Sequence, residues 1–82
     1  MPRYFFDIDE GEHHLRDDEG WECPGLQEAC AAAVRTLPDI ARDGVLDGGR
    51  QDFVATVRDA GDRMLLRVTL SLRTEWLPAS TV

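Results

Sequence analysis

The chain has 82 residues, 43% of them apolar and 30% charged, and a net charge of −7, which is the profile of one soluble globular domain with one core. No apolar run approaches the about 20 residues needed to cross a bilayer, and Met1–Asp7 lacks the basic-then-apolar order of a secretion signal, so a cytoplasmic protein with no membrane partner is expected. The acidic excess opposes binding to phosphate backbones, which depends on Lys and Arg neutralising them, so no nucleic-acid partner is expected either.

All nine basic residues are Arg, and the chain has neither Lys nor Asn, a bias that a GC-rich genome produces on its own. Without Asn there is no N-glycosylation acceptor, and two cysteines, Cys23 and Cys30, are too few for a disulfide scaffold. The charge is uneven. Residues 1–22 hold eight acids against two arginines, net −6, whereas residues 50–82 hold four acids against five arginines, net +1.

Arg3 to Asp9 alternates, with Tyr4, Phe6 and Ile8 on one side and Phe5, Asp7 and Asp9 on the other, the period of a strand with one buried face. Asp9-Glu10-Gly11-Glu12 supplies a turn, His13 to Arg16 returns as a short second strand, and Asp17-Asp18-Glu19-Gly20 turns the chain again. From Leu26 the period changes: Leu26, Ala29, Cys30, Ala33, Val34, Leu37, Ile40 and Ala41 form the stripe of an amphipathic helix. Pro24 and Gly25 precede it and Gly44 can end it. Pro38 removes one backbone hydrogen bond, to Val34, and predicts a kink or a division there.

Gly44 to Gly49 reads as a loop. Gln51 to Arg58 alternates with Phe53, Ala55 and Val57 on one face, and Asp59-Ala60-Gly61-Asp62 turns into Arg63 to Arg73. In that last strand Met64, Leu66, Val68, Leu70 and Leu72 form an inward row, and its length suggests a central position. The predicted fold class is therefore α+β: an antiparallel four-stranded sheet in the order ββαββ with one kinked helix on one face. Residues 1–77 are expected to form a single domain and residues 78–82 a frayed tail, with Trp76 and Leu77 placed to dock on something.

The opening Met1-Pro2-Arg3-Tyr4-Phe5-Phe6, the Asp17-Asp18-Glu19-Gly20 turn, the Ala-rich helix ending Ala41-Arg42-Asp43, and the Phe53 to Val57 strand with its Asp59-x-Gly61 turn resemble a family of small uncharacterised bacterial domains. The resemblance covers nearly the whole chain and implies a bacterial, cytoplasmic origin and the fold above, but no reaction. Such sequences often carry His where this chain has Asp7 and Asp9, so no metal role is carried over. The element order is also similar to the N-terminal half of HicB-type antitoxins, a likeness at the level of fold. No helix-turn-helix follows it in this sequence.

His13, His14, Cys23 and Cys30, with Asp7 and Asp9 nearby, are residue types of a metal site, but no Cys-x-x-Cys or His-x-x-x-His pair is present, adjacent histidines on a strand point to opposite faces, and Cys30 belongs to the buried helix stripe. No metal and no cofactor are expected. Counting from Asp7, an EF-hand loop would need Gly where Glu12 stands and Glu where Asp18 stands, so that motif fails. No nucleophile elbow or phosphate-cradling loop accompanies the carboxylates, and the chain is read as not an enzyme. Arg67 and Arg73, joined by Arg58, suggest a basic strip, yet without aromatic platforms for RNA.

The remaining reading is a protein-interaction module that self-associates as a homodimer. An alternative is a small antitoxin-like regulator whose acidic hairpin masks a basic protein partner, and a distant one is a metal-dependent enzyme. Candidate partner-binding residues are Asp7, Asp9, Glu10, Glu12, Asp17 and Asp18 on the hairpin, and Trp76 and Leu77 in the tail.

Overall fold

The computed structural model describes residues 1–43 and 49–78. The elements are β1 (Arg3–Glu10), β2 (His13–Leu15), β3 (Trp21–Glu22), α1 (Leu26–Asp43), β4 (Gly49–Arg58) and β5 (Met64–Thr74). The protein is α+β, with one helix and an antiparallel sheet of five strands. The expected count of four lacked β3, a two-residue strand that pairs Arg3 with Glu22 and Tyr4 with Trp21. Most of the expected loop and residues 79–82 of the expected tail lie outside the described residues, and Gly49 opens β4.

β1 and β2 form the anticipated hairpin, with Ile8 opposite Leu15 and Glu10 opposite His13. His13 to Glu22 thus runs antiparallel along one edge of β1, bowing out over residues 16–20 between the two short strands. The opposite edge of β1 pairs with β4, Phe5 against Arg58 through Glu10 against Phe53. β5 then pairs with β4, giving the order β2-β1-β4-β5.

The length of β5 suggested a central strand, but it is at the edge. A tight hairpin forces β5 onto whichever side of β4 is free, and β1 already occupies the other. That hairpin turns on Asp59, whose Oδ1 accepts the N–H groups of Gly61 (2.9 Å) and Arg63 (3.0 Å). Asp62 takes the left-handed conformation at φ 64°, which Asp tolerates better than most residues.

The helix begins where the Gly25 carbonyl accepts the Ala29 N–H at 3.1 Å, and Glu28 in its first turn and Arg42 in its last match the helix dipole. It runs undivided through Pro38. α1 lies over β4 and β5. Ala29, Ala33 and Leu37 meet Phe53, Ala55 and Val57 in the fully buried core. Phe53, Leu37 and Val57 each contribute about 1.5–3 kcal/mol of apolar burial.

The inward row of β5 is half-buried through Leu66, Val68, Leu70 and Leu72, while a register shift at Leu65 takes Met64, expected in that row, out of it and sets it opposite Arg58, where it is 71% exposed. Two residues of the predicted helix stripe also stay outside the core, Leu26 at the first turn and Val34 on the flank. Cys30, expected in the buried stripe, is less enclosed than Cys23. Cys23 is buried beside Ala29 and Val57, its N–H bonded to the Pro2 carbonyl, and Cys30 is half-buried on the helix flank.

Candidate functional site: a buried charge cluster and the surfaces around it

The sheet face opposite α1 carries the odd-numbered residues of β1 and the even-numbered residues of β4. Because Phe5 pairs with Arg58 and Asp7 with Thr56, this face gathers Phe5, Asp7, Thr56 and Arg58. The Arg58 side chain is 7% exposed. Its Nε donates to Asp7 Oδ2 at 2.9 Å, Nη1 to Asp62 Oδ1 at 3.0 Å and Nη2 to the Asp17 carbonyl at 2.6 Å. The guanidinium carbon lies 4.7 Å from the Phe5 ring centroid, within cation–π range.

Asp17 completes the cluster. Its N–H donates to Asp7 Oδ1 at 2.9 Å, and its own carboxylate accepts the N–H groups of Phe6, Glu19 and Gly20 at 3.0 to 3.1 Å. Phe6 falls in the gap between the parts of β1 paired by β2 and by β3, so the Asp17 carboxylate stands where a neighbouring strand's carbonyl would be. The turn needs glycine at its end. Gly20 has φ 75°, and a Cβ there would sit 2.8 Å from Arg3 Cγ and Phe5 Cε2.

Burial pushes the Asp7 carboxyl up, but the Arg58 hydrogen bond, the Asp17 N–H and the guanidinium charge outweigh it and hold the group below its ordinary value. Asp17 is likewise pushed up by burial and brought below its ordinary value by the N–H groups of Gly20, Phe6 and Glu19. The Asp7 hydrogen bond raises Arg58 further. No buried side-chain polar atom among the described residues lacks a partner. Both carboxylates are ionised near neutrality, fully hydrogen-bonded and shielded, an arrangement suited to fixing a loop on a sheet.

The hairpin residues proposed to meet a partner therefore divide. Asp7 and Asp17 are held in the cluster, Asp9 is half-buried and joined to His14, and Asp18 is exposed beside Arg16. Glu10 is half-buried, and Glu12 is exposed at the hairpin tip. Trp76 and Leu77 lie at the far end of β5, with Trp76 80% exposed. Arg58 is committed internally, so the basic strip on β5 consists of Arg67 and Arg73 alone. His13 and His14 line a surface hollow with Ile8, Leu15 and Ile40, and Cys23 is buried elsewhere. No three His, Cys, Asp or Glu side chains among the described residues converge as metal ligands.

On the helix side, an open groove of about 340 Å³ separates α1 from β1, lined by Phe6, Trp21, Ala32 and Thr36, with the Phe6 and Trp21 rings 6.1 Å apart. No helix among the described residues is long and apolar enough to cross a membrane.

The sequence reading missed Arg58 as the centre of the site. The signal was present in the opposed charges of Asp7 and Arg58 on the outward faces of two strands, but it becomes readable only when β1 and β4 are known to be neighbours.

A helix laid over one face of an antiparallel sheet, with a buried Arg–Asp cluster tying a loop to the other face, defines a small α+β domain. The chain belongs to the family described as Domain of unknown function (DUF6894), which matches residues 3–71. No curated protein and no solved structure matches it.

Proposed function

We propose that the protein is a non-enzymatic protein-interaction module that associates with itself. The observation carrying this reading is the division between its polar and apolar groups. The carboxylates and guanidinium that acid–base chemistry would use are locked together on one face, whereas Val34, Trp21 and Trp76 stand exposed on other surfaces. Large uncovered side chains of this kind, Trp above all, are the groups that anchor protein interfaces.

Sedimentation at tens of micromolar tests the proposal. A mass near twice that of the chain supports it, and a mass near 9.2 kDa at every concentration overturns it.

The antitoxin-like alternative draws on the acids that stay exposed, Glu12, Asp18 and Glu19, as a surface for a basic protein. Under that reading, neutralising these three residues abolishes capture of the partner while self-association is unchanged.

A further inference from the structure

Resting on the self-association proposed above, we infer that two copies join edge to edge through β5, in a register centred on Thr69, with the Cys30, Val34 and Ala41 flank of α1 closing the same seam. β5 is the outermost strand, and among the described residues no strand lies along its far side. Such an edge is a template for another strand, and natural edges are usually blocked by Pro, charged side chains, bulges or inward charges. Met64–Thr74 has no Pro, no Lys, no inward charge and no acid, in a chain whose net charge is −7; its charges are the outward Arg67 and Arg73, and its register shift is confined to the Leu65 end. This is where two copies of an acidic protein approach with least repulsion.

The side chains select the register. Pairing about a two-fold axis that passes through a residue keeps both apolar rows, and so both helices, on one side of the joined sheet. The pairing of β5 with β4 shifts register at Leu65, where Val57 faces Leu66 and Arg58 faces Met64, so regular alternation starts at Leu66. An axis through Val68 gives regular pairing over residues 66–70 alone, and an axis through Leu70 sets Arg67 opposite the partner's Arg73, like charges that are destabilising when directly opposite. An axis through Thr69 avoids that like-charge contact, overlaps the two strands along their whole length and gives regular pairing over residues 66–72. Arg67 then faces the partner's Ser71, while Arg73 is held by Glu75 and Arg63 by Asp59 of the same chain. On the helix side Leu66 meets the partner's Leu72 and Val68 meets the partner's Leu70, covering a row that is only half-buried in one protomer.

The helix fits the same seam. Ala29, Ala33 and Leu37 point at the sheet, and Ala32 and Thr36 turn toward β1, where they line the groove. At 3.6 residues per turn, Cys30, Val34 and Ala41 occupy the other flank, above the open edge. Val34 is 52% exposed there, which accounts for a stripe residue that the protomer leaves uncovered. With strands about 4.8 Å apart, a helix over β4 and β5 lies about 5 Å from the seam, so two such helices come about 10 Å apart, the outer end of ordinary helix packing. Ala29 clusters with Leu66, and Ala33 and Leu37 with Val68 and Leu70, so the axis at Thr69 passes close to Val34.

An edge of this length is about 37 Å long and a layer of sheet about 10 Å deep, and with the helix flank two copies cover on the order of 1,100 Å². That is near the floor for a specific interface, so the dimer dissociates on dilution.

Cross-linking tests the register. Thr69→Cys and Ser71→Cys, each combined with Cys30→Ser, alter exposed positions of β5. Directly opposed residues of an antiparallel pair have Cα atoms about 4.5–5.5 Å apart, within disulfide reach. Under mild oxidation the Thr69→Cys protein forms a covalent dimer and the Ser71→Cys protein does not. Val34→Glu raises the dimer dissociation constant about tenfold or more, with the circular dichroism spectrum unchanged. Cross-linking through Ser71→Cys, or none through Thr69→Cys in a protein that sediments as a dimer, overturns this seam and leaves self-association standing. A monomer throughout the concentration range overturns both.

Discussion

Replacing Asp7 with Ala removes the acceptor of the Arg58 Nε hydrogen bond and of the Asp17 N–H. The guanidinium stays under the 16–20 segment with only the Asp17 carbonyl and the exposed Asp62 to satisfy it. Breaking a buried ion pair from one side costs about 3–5 kcal/mol, because the remaining charge is desolvated without compensation. A domain of this length has about 4–12 kcal/mol of stability in total, so the variant loses about a quarter of it or more. At about 4–8 °C per kcal/mol, thermal unfolding followed by circular dichroism drops by at least about 12 °C. Asp9→Ala, which severs the half-exposed contact to His14, is the control and stays within about 1 kcal/mol. The double replacement Asp7→Leu with Arg58→Met removes both charges and recovers part of the loss. A cost below about 1 kcal/mol for Asp7→Ala would refute the claim that this cluster holds the loop to the sheet.

The same carboxylates set the response to acid. Asp7 and Asp17 are both held below their ordinary value in the folded protein, so their stabilisation is present above about pH 4 and is lost as the pH falls through the folded values; acid titration of the melting temperature shows this fall, and Asp7→Ala flattens it. Gly20→Ala combines a left-handed backbone with contacts of 2.8 Å to Arg3 and Phe5 and costs more than about 1 kcal/mol. Gly11→Ala, also left-handed but with open space around it, costs less, and equal losses in chemical denaturation would contradict this reading of the turn.

The strands, the helix and their faces were legible wherever a local period was unbroken. Tyr4, Phe6 and Ile8 alternate with charged neighbours, and Ala29, Ala33 and Leu37 repeat every four residues, so each element declares its buried side without knowledge of its partners. β3 was not legible because two residues carry no period, and its strand pairing depends on the bow of residues 16–20. The position of β5 was misread because length is local, while edge or centre is decided by which strand already occupies the neighbour's other side. The cluster was half legible: the Asp17 to Gly20 turn stood out, but the acids looked like one solvated surface. Sequence shows that Asp7 is charged, and only the pairing of β1 with β4 shows that Arg58 neutralises it.

The charge asymmetry of the chain becomes an asymmetry between the two edges of the sheet. The acidic segment over residues 1–22 supplies β1, β2 and β3, and the basic segment over residues 50–82 contains nearly all of β4 and the whole of β5. On the acidic side the outer strands have only three and two residues, and between them the Asp17 carboxylate occupies the Phe6 N–H. That edge offers little backbone to an incoming strand. On the basic side β5 offers eleven residues and no acid. A sheet with two open edges would propagate from copy to copy, whereas a sheet with one closed edge stops after the first pairing and gives a closed two-fold dimer. In the proposed self-association the Arg58 cluster therefore has a consequence beyond stability: by fastening the 16–20 segment along β1, it would limit pairing between copies to β5.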